Sequence, residues 1–126
     1  MCSVLIVEDT PIVREPLEKL LRYEGFDTVA TSNGVEALEA MKIHTPDVIL
    51  LDVAMPKMNG VEFLHQLRGD ERWRDVPVIV LTAVMDSTQL RLARELSVRE
   101  VLFKSKFSFA DLLGQIRRCL GATPVG

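Results

Sequence analysis

Five polar residues each follow a short apolar run of the sequence, and together they could carry out one kind of chemistry. They are Glu8, Asp9, Asp52, Thr82 and Lys104. Three carboxylates held close together raise one another's pKa unless a cation compensates, and their hard oxygen ligands suit Mg²⁺. A carboxylate nucleophile, a divalent ion, a hydroxyl and a lysine are the groups that phosphoryl transfer onto a protein side chain requires. We therefore predict that an acyl phosphate forms on Asp52.

These residues can meet only if the apolar runs before them are strands of one sheet. The runs have strand length, alternate with segments of helical spacing, and lie at 3–7, 27–31, 47–51, 76–81 and 101–103. That alternation predicts an α/β fold, and right-handed crossovers favour a doubly wound, five-stranded parallel sheet with five helices. Three of the runs are almost continuous Val, Ile and Leu, as expected of strands buried on both faces at the sheet centre. Ligands bind such sheets at the carboxyl ends of the strands, where the five polar residues lie.

Helical spacing predicts the segments that connect the strands. A first helix begins with Thr10 as its cap and ends at Gly25, but Pro16 inside it lacks an N–H and crowds the preceding turn. We therefore expect a kink or a later start of this helix. Further helices are predicted at about 33–42, 61–68, 87–96 and 109–120, the last one capped by Ser108. The residues expected to face the core are Val35, Leu38, Met41, Leu90, Ala93, Leu112, Leu113, Ile116 and Leu120, with Leu92 as a further candidate.

Composition is typical of one ordinary globular domain. The chain has 126 residues, of which 48% are apolar and 26% charged, so we expect a domain at 1–121 and a short flexible tail at 122–126. The longest apolar runs, of which 48–51 is one, are far shorter than the roughly 20 residues of a membrane span. No basic segment typical of a secretory signal precedes the first apolar run, so we expect a cytoplasmic protein without membrane contact. The net charge of −3 does not favour direct binding of nucleic acid.

Other residues that could carry chemistry are interpreted as structural. Cys2 and Cys119 are expected to be free thiols, as in a reducing cytosol. His44 and His65 have no Cys or His at the spacing of metal ligands around them. Trp73 lies in a charged loop, and we expect it to cover the core rather than to bind a partner.

Four motifs in combination resemble those of the receiver domain of response regulators in two-component signalling. The resemblance extends from residue 4 to about residue 120, and it is closest to the single-domain, chemotaxis-regulator-like members. The motifs are Leu5-Ile6-Val7-Glu8-Asp9, the run 47–56 with Asn59-Gly60, the strand 77–83 ending in Thr-Ala, and the strand 102–104 ending in lysine. The resemblance implies a flavodoxin-like fold with strand order 2-1-3-4-5, which agrees with the elements predicted above.

The resemblance also implies a role for each site residue. Asp52 would accept a phosphoryl group from a histidine kinase or a histidine phosphotransfer protein. Asp9, Asp52 and the backbone carbonyl of Ala54 would bind Mg²⁺, and Glu8 would act mainly through a bound water. Thr82 and Lys104 would hold the phosphoryl oxygens. Such a domain is a phosphoacceptor rather than an enzyme, and at most catalyses its own phosphoryl transfer and autodephosphorylation.

In the family, phosphorylation repacks the face formed by helix four, strand five and helix five, which a downstream effector protein reads. Five arginines fall on the predicted fourth and fifth helices and the connection between them, namely Arg91, Arg94, Arg99, Arg117 and Arg118. They suggest an acidic partner or a homodimer, although a solvated basic face is the simpler interpretation. No DNA-binding or catalytic segment follows the last helix, so we expect output through partners unless the sequence is a fragment of a longer protein.

The sequence departs from the family pattern at several positions. Ser105 follows Lys104 where the family has a proline joined by a cis peptide bond, and such a bond before a non-proline residue costs about 2.5–4 kcal/mol. Lys106 is therefore a rival to Lys104. Val101 stands at the position of the aromatic switch residue, where Phe103 or Phe107 could substitute. Ala54 and Val84 are apolar where the family tunes the lifetime of the acyl phosphate, so we expect a phosphoryl group that is not especially short-lived.

Ser105 and Val101 leave a second function open, a receiver-like interaction domain that does not switch. Against it, no member of the acidic triad or its lysine is missing from the sequence. A metal-dependent phosphatase is disfavoured because Ala54 lies where a second aspartate would act as general acid. A flavin-binding module is disfavoured because the first turn after a strand, residues 8–11, is acidic and lacks the glycines that cradle phosphate.

Overall fold

The computed structural model describes residues 2–53, 60–83, 88–104 and 106–121. Within them the chain forms five strands, β1 (Ser3–Val7), β2 (Asp27–Thr31), β3 (Val48–Asp52), β4 (Val78–Thr82) and β5 (Glu100–Phe103). They alternate with five helices, α1 (Pro11–Tyr23), α2 (Gly34–Ile43), α3 (Gly60–Arg68), α4 (Thr88–Glu95) and α5 (Phe109–Cys119). The predictions that concern Ala54, Val84, Ser105 and the tail 122–126 lie outside the described residues.

The strands form one parallel sheet in the order β2-β1-β3-β4-β5, which confirms the predicted topology. All five residues of β1, β3 and β4 are buried, as their continuous Val, Ile and Leu runs predict for strands with helices on both faces. β3 and β4 each end one residue later than predicted, at Asp52 and Thr82. The reason is that pairing continues to the polar residues, with Asp52 opposite Leu81 and Thr82 opposite Phe103.

The helices cover the two faces of the sheet with separate core clusters. One cluster packs Phe63 of α3, Leu90 of α4 and the loop residue Trp73 against the sheet. The other cluster packs Leu21 of α1 and Leu112 of α5 against the opposite face. This arrangement leaves the carboxyl ends of the strands as the edge on which polar side chains can gather. No helix in the described part of the chain has both the length and the apolar character that a membrane span requires.

Helix α1 begins at Pro11, directly after Thr10, so the later start that Pro16 suggested is wrong. Pro16 leaves the carbonyl of Ile12 without its usual helical donor. Ile12 is 82% exposed, so water can satisfy that carbonyl at little cost. The helix ends at Tyr23, and Gly25 closes its C-terminus as predicted. Gly25 has a φ of +94°, and its N–H donates to the carbonyl of Arg22 at 3.0 Å.

Two of the core positions predicted from spacing are wrong. Val35 is 48% exposed and Leu92 is 37% exposed. In α2 the buried stripe runs through Ala37 and Met41, and Val35 lies two residues before Ala37, on another side of the helix. In α4, Leu90 and Ala93 are buried as predicted, so Leu92 falls between them on the solvent side.

Trp73 covers the core, as expected, and is 4% exposed. Arg72 lies over its ring, with the guanidinium carbon 4.2 Å from the ring centre. The indole is therefore part of the core packing between α3 and β4 rather than a surface for stacking. Cys2 and Cys119 are free thiols, as predicted.

Candidate functional site

Three carboxylates converge at the carboxyl edge of the sheet. One oxygen each of Glu8, Asp9 and Asp52 lies within 4.8 Å of the other two. Glu8 continues the direction of β1, because its N–H donates to the carbonyl of Thr31 at 3.0 Å. Asp52 is the last residue of β3, next to β1 in the sheet. The side chains meet because adjacent parallel strands end side by side, as the sequence predicted.

Lys104 supplies a positive charge to this cluster. Its Nζ lies 2.5 Å from Oε1 of Glu8 and 3.5 Å from Oδ2 of Asp52. Burial alone would lower the pKa of Lys104, but its contacts with Glu8 and Asp52 outweigh that effect and raise the pKa. The ammonium therefore remains charged at neutral pH. Lys106 is exposed, and of the two rival lysines Lys104 is the one whose ammonium contacts the carboxylates.

Thr82 brings a hydroxyl to the same edge. It is the last residue of β4 and is 2% exposed. Its backbone carbonyl accepts from the N–H of Lys104 at 2.7 Å, which ties the lysine to the end of β4. Leu81, the residue before it, lies opposite Asp52 in the sheet. All five side chains singled out in the sequence are thus attached to neighbouring strand ends.

The donor set of this cluster fits a divalent cation. Its three members offer only carboxylate oxygens, and the single ammonium of Lys104 cannot neutralise three carboxylates. Oε1 of Glu8 is buried and, among the described residues, makes an ion pair with Lys104 but no well-oriented hydrogen bond. Its other oxygen, Oε2, accepts from the N–H of Thr10 at 3.1 Å. Buried anionic oxygens without full compensation are costly, and Mg²⁺ would remove that cost.

Gly60 packs against the backbone of Asp52 and Val53. Its N–H donates to the carbonyl of Val53 at 3.0 Å. A Cβ at this position would lie 2.4 Å from Cα of Val53 and 2.7 Å from the carbonyl oxygen of Asp52. Gly60 is the first residue of α3, one residue before the predicted start of this helix, and a side chain does not fit there beside the backbone of Asp52.

Sequence reasoning missed one residue at the site, Arg14. It lies in α1, and its guanidinium donates to the backbone carbonyls of Glu8 at 2.9 Å and Asp9 at 3.3 Å. Arg14 follows Asp9 by five residues, which places it about one helical turn from the start of α1. That spacing was the available signal, because a long side chain there can reach back to the end of β1.

Comparison with known proteins decides the family. The family model described as the response regulator receiver domain matches residues 4–117. The chain belongs to this family. Receiver domains are signalling domains of two-component systems, and both the fold and the family implied by the sequence motifs are confirmed.

Curated relatives of the chain are response regulators. The chain is 36% identical over 114 residues to the DNA-binding response regulator MtrA of Mycolicibacterium smegmatis, covering 90% of this chain and 48% of MtrA. It is 40% identical over 81 residues to the polar-differentiation response regulator DivK of Brucella anthropi, covering 64% of this chain and 66% of DivK. The chain thus spans about half of the length of MtrA.

Solved structures of receiver domains superpose on almost the whole chain. The receiver domain of a sensor histidine kinase from Pseudomonas aeruginosa, solved with a magnesium ion in its active-site cleft, has a TM-score of 0.87 at 28% identity. It matches over 95% of this chain and 98% of its own. The chemotaxis protein CheY4 of Vibrio cholerae has a TM-score of 0.86 at 28% identity, over 95% of this chain and 99% of its own. The flavodoxin-like arrangement is therefore that of known receiver domains.

Proposed function

We propose that this receiver domain is switched by phosphorylation of Asp52 and that it binds Mg²⁺ through Glu8, Asp9 and Asp52. The observation that carries the proposal is the position of Asp52. Asp52 is 6% exposed at the end of β3, and its carboxylate has two further carboxylates within 4.8 Å and the ammonium of Lys104 at 3.5 Å. A magnesium ion in the corresponding cleft of the Pseudomonas aeruginosa receiver domain supports the choice of metal.

Asp52, Lys104 and Thr82 have separate roles in phosphoryl transfer. An oxygen of Asp52 attacks the phosphorus of the donor, a new O–P bond forms, and the bond from phosphorus to the donor's leaving group breaks with its electron pair. Lys104 is held against Asp52 by Glu8, so its charge is already oriented toward the oxygens that the phosphoryl group brings. Thr82 can donate its hydroxyl to the same oxygens. A bound Mg²⁺ would supply further positive charge to the transferred group.

We further propose that a histidine kinase or a histidine phosphotransfer protein donates the phosphoryl group in the cytoplasm. A protein effector then binds the phosphorylated domain. A groove of about 450 Å³ lies between β5 and α5, with Val101, Phe107, Gly114 and Arg118 among its walls. This groove lies on the face that repacks in the family, and it therefore supports binding of the effector at α4, β5 and α5.

Mass spectrometry of the intact protein tests Asp52 as the acceptor. The chain is incubated with acetyl phosphate, with and without MgCl₂, as wild type, Asp52→Ala and Asp75→Ala. Asp75 is an exposed carboxylate and serves as the control. We expect Mg²⁺-dependent gain of one phosphoryl group by the wild type and by Asp75→Ala, and none by Asp52→Ala. No gain by the wild type under any condition would refute the proposal.

The competing function is a receiver domain that does not switch, and among the described residues Val101 supports it. Val101 is half-buried in β5 at the position of the usual aromatic residue, and Phe103 and Phe107 pack against the two core clusters. Amide chemical shifts of the phosphorylated domain separate the two functions. Shifts throughout α4, β5 and α5 support switching, whereas shifts confined to the neighbours of Asp52 support the alternative.

A further inference from the structure

One guanidinium holds the backbone from which the acidic pair extends. NH1 of Arg14 donates to the carbonyl of Glu8 at 2.9 Å and to the carbonyl of Asp9 at 3.3 Å. These carbonyls belong to two successive peptide units, Glu8–Asp9 and Asp9–Thr10. The contact therefore restricts the orientation of both peptide units. Arg14 touches no carboxylate oxygen in these contacts. It acts on the site through the main chain.

The main chain needs such a restraint at this point because two regular structures meet there. β1 ends at Val7, and α1 begins at Pro11. The Thr10 side chain makes no capping hydrogen bond to α1, and its hydroxyl donates to Oδ1 of Asp9 at 3.4 Å instead. The first turn of α1 contains no acidic residue. The backbone N–H of Arg14 also donates to the carbonyl of Thr10 at 2.9 Å. Arg14 therefore ties the first turn of α1 to residues 8–10 through both its backbone and its side chain.

We propose that Arg14 is a positioning residue that preorganises Glu8 and Asp9 for Mg²⁺, an inference that rests on the proposed function. Metal ligands bind more tightly when surrounding groups fix them before the metal arrives, and loss of one such group typically lowers metal affinity about 10- to 100-fold. Arg14 supplies that restraint at the carbonyls of both residues. Arg14 is half-buried, and both of its hydrogen bonds to these carbonyls are partly buried as well.

The direction in which Mg²⁺ affinity changes when Arg14 is replaced distinguishes a positioning role from simple charge repulsion. A guanidinium near a cation site repels Mg²⁺, so removal of a charge that did nothing else would strengthen Mg²⁺ binding. Removal of a positioning residue weakens it. Arg14→Met removes both the charge and the hydrogen bonds, and Arg14→Lys keeps the charge while it loses the planar fork of donors.

Arg22 offers a matched control on the same helix. Its guanidinium also donates to a backbone carbonyl, that of Thr28 at 3.0 Å, and forms an ion pair with Glu18 at 2.9 Å. It lies at the C-terminal end of α1, away from the carboxyl edge of the sheet. Arg22→Met therefore removes an arginine-to-carbonyl hydrogen bond of similar length without touching residues 8–10.

The experiment is a titration of each variant with MgCl₂, followed by the amide NMR signals of Asp9 and Asp52 at constant ionic strength. We expect the dissociation constant for Mg²⁺ to rise about tenfold in Arg14→Met, to rise less in Arg14→Lys, and to stay at the wild-type value in Arg22→Met. At saturating MgCl₂, phosphorylation of Arg14→Met by acetyl phosphate should return to near the wild-type rate. Thermal unfolding of each variant shows whether it is folded.

Two results would overturn the inference. One is an unchanged or lower dissociation constant in Arg14→Met. The other is the same increase in Arg22→Met, which would show a general effect of destabilising α1. If Arg14→Met does not fold, the dissociation constant for Mg²⁺ of Arg14→Lys is compared with that of the wild type instead. Failure of the wild type itself to bind Mg²⁺ would instead refute the proposed metal site.

Discussion

At the scale of single residues, Gly60 shows how closely the backbone packs around Asp52. A Cβ at this position would lie 2.4 Å from Cα of Val53 and 2.7 Å from the carbonyl of Asp52, and both are backbone atoms that cannot rotate away. We expect Gly60→Ala to lower the free energy of unfolding by about 1–3 kcal/mol, the usual cost of overpacking. Urea denaturation measures this change.

Gly114 provides the control for this prediction. It lies in α5, and a Cβ there would meet nothing within 4 Å. Alanine in the interior of a helix is more stable than glycine by about 0.5–1 kcal/mol. Gly114→Ala should therefore stabilise the domain. A similar loss of stability in both variants would contradict the packing argument for Gly60.

The charge state of Asp70 depends on one neighbour. The Arg72 guanidinium hydrogen bonds to the Asp70 carboxylate, and the Arg72 backbone N–H donates to it as well, which lowers the pKa of Asp70 from 3.8 to about 2. Because the pKa is lowered on folding, this contact stabilises the fold above pH 3.8 and is lost as the pH falls toward 2.

NMR titration of the Asp70 carboxyl carbon tests this assignment. In the wild type the pKa should be about 2. In Arg72→Gln it should move back toward 3.8, the ordinary value, because the charged donor is gone. An unchanged pKa of Asp70 in Arg72→Gln would show that Arg72 is not the cause. Lys42→Gln removes a cation paired with Glu39 instead and should leave the pKa of Asp70 unchanged.

At the scale of secondary-structure elements, Arg68 joins the end of α3 to two connections. Its guanidinium donates to four backbone carbonyls at 2.9–3.1 Å, those of Arg74, Val76, Leu96 and Ser97. Two of these carbonyls precede β4, and two follow α4. Burial, partly opposed by Asp75, lowers the pKa of Arg68. One side chain thus fixes the ends of α3 and α4 relative to β4.

We expect Arg68→Met to lower the free energy of unfolding by about 2–4 kcal/mol, because two part-buried carbonyls, those of Val76 and Leu96, lose a charged donor. Chemical denaturation followed by Trp73 fluorescence measures the loss. Arg74→Met is the control, since Arg74 is exposed and its carbonyl remains in place. Equal stability of Arg68→Met and the wild type would show that these hydrogen bonds contribute little to the fold.

The elements could be predicted from the sequence wherever burial on both faces or helical spacing left a simple pattern. The strands β1, β3 and β4 and the capping of α5 by Ser108 were predicted for that reason, and Asp111 completes a capping box there. Val35 and Leu92 were misplaced because hydrophobicity alone does not tell which side of a short helix faces the sheet. The contacts of Arg68 could not be predicted, because a long side chain that reaches backbone carbonyls far along the chain leaves no periodic signal. The contacts of Arg14 were signalled only by its short distance in sequence from Asp9.

At the scale of the whole molecule, Mg²⁺ should stabilise the fold by binding the native state alone. At ten times its dissociation constant, free MgCl₂ should add about 1.4 kcal/mol and raise Tm by about 4–8 °C for a domain of this size. Differential scanning calorimetry in MgCl₂ against NaCl of equal ionic strength measures this effect. Asp9→Asn should lose the rise while Asp75→Asn keeps it.

Without Mg²⁺ the same Asp9→Asn variant should be more stable than the wild type. Loss of one of three neighbouring carboxylates removes repulsion that the ammonium of Lys104 only partly offsets. A lower Tm of Asp9→Asn in the absence of Mg²⁺ would contradict the repulsion argument. A rise with MgCl₂ equal to that of the wild type would show that the carboxylate cluster is not the metal site.

The strand order has a consequence for folding during synthesis. In the sheet β2-β1-β3-β4-β5, every strand after the first pairs with a strand that the ribosome has already made: β2 and β3 with β1, β4 with β3, and β5 with β4. From β3 onward the sheet therefore grows outward along one side, in the order of translation. No strand has to wait, unpaired, for a partner from the far end of the chain. The nascent chain can bury each apolar strand as it emerges, which shortens the exposure of edges that would otherwise pair with other chains.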